Sequence, residues 1–370
     1  VKPLRALAAG LLTLAASAAS AASAQEAAGF RFDYTADAFA NLSGGFRDDA
    51  TIAHQAVLSY AGLLSERWSV RAAAAATFGD SLSERAIGDV QGVQGAYAGG
   101  DALWLYEASL TREFARGIVT FGRLSSGDAF GTVGTMGEEF VNSAFSSNGG
   151  AVSINDPGRL PSPASSWGAT LAWRWSDRLE TRGGLFLSDP ERATADRPAD
   201  RSFRPADGVL GFAEVVARPS EAWELGAGAY ADSARFDTFD GGSERGNGGL
   251  YGWVAGRLAG PDEGRRLDGF LMLQAAPRDD RSLQPFAAFA GLTLAAPFAS
   301  RPDDALNLAV AAGRFSDDSG LDGAETVLEL NYRYAVSDQL SLRPDLQYVI
   351  NPGGLHDDAL VAGVQLLVGL

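Results

Sequence analysis

The chain carries two histidines, His54 and His356, and no cysteine, which leaves no structural zinc set and few ways to activate a nucleophile. A His–Ser hydrolase would pair His54 with Ser59. Odd spacing puts the two on opposite faces of an extended strand, so a lipase is a weak alternative. No nucleotide-binding fingerprint is present, and no cofactor is expected. Aspartates pair at Asp48-Asp49, Asp279-Asp280, Asp317-Asp318 and Asp357-Asp358. Solvation explains such pairs; the sharper expectation is that they hold divalent cations, since hard cations prefer oxygen. The remaining charges follow a different pattern. Arg71, Arg174, Arg182, Arg333 and Arg343, with Glu107, Glu180, Glu224, Glu325 and Glu329, stand at alternate positions within apolar runs. A strongly anion-selective surface would show one sign; this one shows both.

Strict alternation is the signature of a strand whose two faces meet different surroundings. In LSLRPDLQYVI, Leu340, Leu342, Leu346, Tyr348 and Ile350 oppose Ser341, Arg343, Asp345 and Gln347. The same test sets Phe30, Phe32 and Tyr34 against Arg31, Asp33 and Thr35. It sets Trp104, Tyr106, Ala108 and Leu110 against Glu107, Ser109 and Thr111, and Leu328, Leu330, Tyr332 and Tyr334 against Glu325, Glu329, Asn331 and Arg333. Around 52–62, 118–124, 209–217 and 250–258 the parity is ambiguous.

Sixteen strands follow, at roughly 30–42, 51–62, 68–78, 102–114, 118–124, 166–175, 179–188, 208–217, 223–236, 248–259, 267–276, 285–294, 305–314, 323–336, 340–350 and 359–370. Four tight turns share Ser, an acid, one residue, then Trp or Leu: Ser65–Trp68, Ser176–Leu179, Ser220–Trp223 and Ser337–Leu340. Ser hydroxyls bond their own backbone in turns, and the apolar residue restarts the strand. Most connections on the other side are longer and rich in Gly and Asp. Trp68, Trp175 and Trp223 lie beside short turns, as an interfacial girdle would. Pro344 removes a ladder donor and calls for a local accommodation such as a bulge.

Residues 1–24 read as a secretory signal peptide: Lys2 and Arg5, an apolar run from Leu7, then Ala22-Ser23-Ala24. An exported chain without cysteine has no disulfide framework. Beyond the signal no apolar run approaches the roughly 18 residues of a spanning helix. A net charge of −16 argues against nucleic acid as a partner. The expectation is all-β: a transmembrane antiparallel β-barrel over 25–370 with short periplasmic turns, longer extracellular loops and apolar parity toward lipid. In outer-membrane lipid, the paired aspartates of its loops would share their divalent cations with lipopolysaccharide phosphates. The alternative, a soluble sandwich or solenoid, would have to bury every apolar face with no visible repeat.

The longest connection, 125–165, is the third on the long-loop side. Its Phe130, Phe140 and Phe145 suit a segment folded into the lumen as a constriction, because a sixteen-stranded barrel is too wide for wall residues alone to discriminate small solutes. The expectation is that Glu138, Glu139, Asn142 and Ser143 of this loop face wall charges including Glu107, Arg174 and Arg182. Candidate pore-lining residues are these together with Glu325, Glu329, Arg333, Arg343, Asp345 and Gln347.

LYEASLTREF, VTFGRL, FVNSAF, WGATLAWRWSDRLETRGGLFLSDP, SRPDDALNLAVAAGRFSD and ETVLELNYRYAVSDQLSLRPDLQYVINPGG resemble the OprB-type carbohydrate-selective porins of Gram-negative outer membranes. The likeness spreads over about 100–190 and 266–370 and is weak between 191 and 250. The family's Trp-Gly-Gly-x-Arg segment before the first strand is absent, and Leu370 stands where such barrels usually end in Phe. The resemblance implies passive diffusion of small sugars, with no energy coupling. General and anion- or carboxylate-selective porins stay open as alternatives, as does a homotrimer.

Overall fold

The computed structural model describes residues 28–96, 100–146, 148–156, 163–188, 207–261 and 263–370; the expected signal peptide lies outside them. Sixteen strands alternate along the chain: β1 (Gly29–Gly45), β2 (Asp49–Ser65), β3 (Trp68–Gly79), β4 (Ala102–Glu113), β5 (Gly117–Leu124), β6 (Ser166–Ser176), β7 (Leu179–Ser188), β8 (Gly208–Ser220), β9 (Trp223–Asp237), β10 (Ser243–Ala259), β11 (Arg266–Ala275), β12 (Phe286–Ala295), β13 (Ala305–Arg314), β14 (Ala324–Ser337), β15 (Leu340–Ile350) and β16 (Asp357–Gly369). Each pairs antiparallel with its sequence neighbours, and β1 pairs with β16 from Asp33↔Gly369 to Gly45↔Asp357. The sheet is a closed barrel. Closure leaves no edge, so strand N–H and C=O groups are satisfied within the wall, as a lipid environment demands.

The burial pattern is inside out relative to a water-soluble protein. Leu103, Leu185 and Leu250 are 66, 62 and 61% exposed on the outer face, while Glu325, Glu329 and Gln347 are 0% exposed on the inner one. In water an apolar belt of this extent would drive association; against hydrocarbon it is the stable arrangement. The alternation therefore has the meaning expected of it. On β15, Leu342, Leu346 and Tyr348 face out, and Arg343, Asp345 and Gln347 are buried inside.

Glu66-Arg67, Asp177-Arg178, Glu221-Ala222 and Asp338-Gln339 are the whole of four turns on one rim. In each, the Ser pairs with the Trp or Leu that restarts the chain. The Oγ of Ser65, Ser176 and Ser337 accepts the N–H two residues on, at 3.5, 3.2 and 3.3 Å. Trp68, Trp175 and Trp223 all sit at this rim on the lipid parity. Pro344 is accommodated without a bulge. The ladder to β14 lapses opposite Arg343 and Pro344 and resumes in unchanged register, Asn331↔Asp345 and Tyr334↔Leu342.

One strand departs from its sequence reading. Trp104 and Tyr106, expected on the lipid face, point into the lumen. The register on β3 steps from Ala73↔Glu107 to Ala74↔Leu105, leaving Tyr106 as the extra residue of a β-bulge. Parity flips across it, so Leu103 is the lipid-facing residue and Trp104 is buried inside.

Candidate functional site

The lumen is built from the polar parity of the strands and from two long connections, 80–101 and 125–165, whose described parts are largely buried in it, with Asp80, Glu84 and Arg85 exposed. Wall carboxylates hold both by their backbone. Glu329 on β14 accepts the N–H groups of Val141 and Asn142 at 2.8 and 2.9 Å. Glu325, four residues earlier on the same face of β14, accepts those of Val90 and Gln91 at 2.8 and 2.9 Å, and that of Gly353 at 2.7 Å. Asp37 on β1 accepts the Ala96 N–H at 2.8 Å. Glu214 on β8 accepts Gly131 N–H at 2.6 Å and the Tyr251 hydroxyl at 2.9 Å. A carboxylate offers fixed acceptors that a loop in low dielectric needs for donors lacking water.

Apolar packing sets the side on which the loop lies. Phe130 stacks on Phe212 of β8 with ring centroids 4.7 Å apart and meets Phe186 edge-on, and Phe140 meets Phe270 of β11. The short helices α1 (Gly134–Glu139) and α2 (Gly150–Asn155) belong to this segment. Asn155 exchanges bonds with Gln284 beside β12, and Asn247 of β10 donates to its carbonyl at 2.7 Å. The aromatic part of the loop thus leans on β7–β15, while Asp128 and Ser165 near its two ends bond to Tyr106 and Leu105 of β4.

That placement corrects the expected pairing. Glu138, Glu139, Asn142 and Ser143 take direct partners other than Glu107, Arg174 and Arg182. Glu139 pairs with Arg333 at 3.0 Å, Arg343 donates to the Glu138 carbonyl at 2.7 Å, and Asn142 donates to Gln347 at 2.9 Å. Ser143 donates to the Gln94 carbonyl and so ties the two long connections together. Glu107 instead pairs with Arg71 at 3.7 Å, and Arg182 is buried between Glu180 at 2.6 Å and Glu214 at 3.1 Å. The reason is the aromatic docking surface on β7, β8 and β11, which holds Phe130 and Phe140, and with them the Glu138–Ser143 stretch, on that side of the lumen.

Between the loop and the β1–β6 wall lies a cavity of ≈ 1830 Å³. Glu107, Arg182, Glu138, Glu139, Asn142, Ser143, Arg333 and Arg343 line it. Glu325, Glu329, Asp345 and Gln347 face the lumen but are covered by the loops, so they anchor and do not line. Arg174 stands half-buried near the short-turn end of β6, outside the lining. The lining carries both signs, mostly as adjacent pairs: Arg31–Asp33 at 2.8 Å, Arg301–Asp304 at 2.8 Å and those above. Burial, with the Glu139 carboxylate beside it, pushes the Glu138 carboxyl up to about 7, while Arg333 and Arg343 hold it from rising further.

Sequence reasoning missed Trp104, Tyr106 and Glu214. The first two were hidden by the bulge, and Glu214 lies in a strand whose parity was ambiguous. His54 sits on the outer face, accepting or donating a 2.8 Å bond with Tyr34 and stacking on Phe78, whereas Ser59 lines the cavity. The wall separates them. The exterior aspartates already have protein partners: Asp49 with Arg47 and Arg85, Asp280 with Arg281, Asp317 with Arg314, and Asp358 with Tyr348. Among the described residues no group of three His, Cys, Asp or Glu side chains could hold a metal ion.

Residues 58–370 match the model of the carbohydrate-selective porin family OprB. The chain belongs to that family. It is 24% identical to Porin B of Pseudomonas aeruginosa over 91% of this chain and 86% of that one. A structure of OprB from Pseudomonas putida, determined at high pH, superposes with a TM-score of 0.86 at 22% identity, covering 93% of this chain and 94% of the other. Salmonella typhi OmpF, in complex with daunomycin, is more distant at 10% identity and a TM-score of 0.59, over 93% and 97% of the chains. The likeness to OmpF is one of barrel architecture alone. Membership of the OprB family places the protein in the Gram-negative outer membrane as a carbohydrate porin, a channel and not one of the enzyme families.

Proposed function

We propose that the lumen carries passive, modestly selective diffusion of small sugars into the periplasm, without covalent chemistry or energy coupling. The short-turn rim is then periplasmic and the long connections lie outside. The observation that carries this reading is the cavity lining, in which arginines and carboxylates are paired side by side. Such pairs present donors and acceptors to hydroxyl groups and little net field to an ion. Weak, replaceable contacts suit flux, because a tight site would stop it. Glu107 and Arg182 on the wall, and Glu138, Glu139, Asn142 and Ser143 on the loop, are the residues from which a passing sugar would take its hydrogen bonds.

Liposome swelling with sugars, amino acids and organic acids of matched size tests the reading. Sugars should enter faster than amino acids and organic acids of equal size. A rate order following size alone would mean a general porin, and fastest entry of carboxylates an anion-selective one.

A further inference from the structure

We propose that Tyr106, backed by Trp104, is a stacking subsite on the β3–β4 wall that favours ring sugars over open-chain polyols. The inference rests on the sugar-porin reading and names residues that the reading does not require.

The bulge at Tyr106 is its first support. A regular β4 would send Trp104 and Glu107 to opposite faces; the extra residue brings Trp104, Tyr106 and Glu107 together on the lumen side, where all three line the cavity. A bulge gives up regular ladder pairing, and its usual effect is to re-aim side chains. Merely filling space on the lipid face would have needed none.

The second support is how the two rings are held. Trp104 Nε1 donates to Thr77 Oγ1 at 2.9 Å, and Thr77 donates to the Gly100 carbonyl at 2.8 Å. Trp104 is buried against Ala75 and Ala164, and Tyr106 packs half-buried on the same cluster. The Tyr106 hydroxyl donates to Asp128 of the constriction segment at 2.6 Å. One ring is thus a fixed backing. The other keeps part of its surface in the cavity, with its free end tied to the loop.

The third support is what surrounds them. Arg71 and Glu107 pair loosely at 3.7 Å, Ser109 donates to Glu107 at 2.5 Å, and Gln55 and Ser59 of β2 line the same stretch. Ala73 of β3 lines the cavity there, and its small side chain leaves room above the tyrosine. A pyranose has a flat face of C–H bonds rimmed by hydroxyls. The C–H face suits the electron-rich face of an aromatic ring, and the rim meets an arginine and a carboxylate with unused capacity. An open-chain polyol with the same number of carbons and oxygens has the hydroxyls and lacks the face.

The test compares liposome swelling by glucose and by sorbitol, using the full-length protein. The wild type should favour glucose over sorbitol by more than their sizes dictate. Tyr106→Ala should lower that ratio by about fivefold, the scale of one aromatic contact, and Tyr106→Phe, which keeps the ring, should retain most of it. Tyr106→Leu repeats the test at closer volume, and KCl current in planar bilayers shows that each variant forms a pore. A ratio preserved in Tyr106→Ala and Tyr106→Leu overturns the subsite and leaves the sugar-porin reading standing. A wild type that ranks all solutes by size overturns both.

Discussion

Glu329 accepts the backbone N–H of Asn142 at 2.9 Å across 187 residues of sequence, and its other oxygen takes the neighbouring N–H of Val141. Removing this clamp leaves two buried donors without acceptors. Glu329→Ala should therefore weaken loop docking by about 2–4 kcal/mol, the loss expected for charge-assisted bonds. The barrel itself, held by its ladder, should still form. Single-channel recordings should show a larger and noisier conductance than wild type. An unchanged, quiet trace would mean that the aromatic contacts of Phe130 and Phe140 hold the loop alone.

Glu138 should give the channel a pH dependence. Its carboxyl is raised to about 7 by burial and by Glu139, so it is neutral in mildly acidic solution and ionised above neutrality. The sign follows directly: raising pH through about 7 adds negative charge beside the cavity and should increase preference for cations over anions. Reversal potentials in a KCl gradient, measured from about pH 5 to 9, report the change. Glu138→Gln should flatten that pH profile near neutrality. A profile unchanged in the variant would place the titration elsewhere.

Arg182 lies between two buried carboxylates, Glu180 and Glu214, and Glu214 in turn holds Gly131 at the head of the constriction segment. Deleting one partner of a buried charge set leaves the others uncompensated, at a cost of about 3–5 kcal/mol. Arg182→Ala should lower the temperature at which the barrel loses its fast-migrating form in detergent gels. Arg182→Lys should recover only part of it, since an ammonium cannot fork between two carboxylates as a guanidinium does. Equal midpoints for all three proteins would show that the charges are solvated in the lumen.

Strands and turns were legible because lipid and water on opposite faces impose alternation, and the Ser-acid-x-Trp/Leu turns punctuate it. Where alternation failed, the failure had a physical cause. Strands β8 and β10 read ambiguously because their lumen faces are apolar too: Leu210, Phe212 and Val216, and Tyr251 and Trp253, lie buried under the inward loop. Loss of parity there marked the docking surface, a signal that could have been read as such. Trp104 was misplaced because a single bulge residue inverts parity between the stretches on its two sides, and no residue type announces a bulge. Residue identity likewise could not tell a lining carboxylate such as Glu138 from an anchoring one such as Glu329. That distinction depends on which wall segment the loop covers.

The role of the loop as a whole is tested by removing residues 135–150. The deletion takes away α1 after its first residue, Phe140, Phe145 and the Val141–Asn142 clamp, which together fill the β11–β15 side of the lumen. None of these residues belongs to the closed ladder of strands, so the shortened chain should still insert and show heat-modifiable migration. Its lumen should be wider, because a barrel of this strand number encloses an aqueous channel unless something narrows it. Conductance should rise, and the preference among sugars of equal size should vanish, since a solute crossing the open lumen no longer touches the wall and the loop together. A deletion that leaves conductance unchanged would show that the segment does not restrict the pore in the membrane, and selectivity would then have to come from the β1–β6 wall alone.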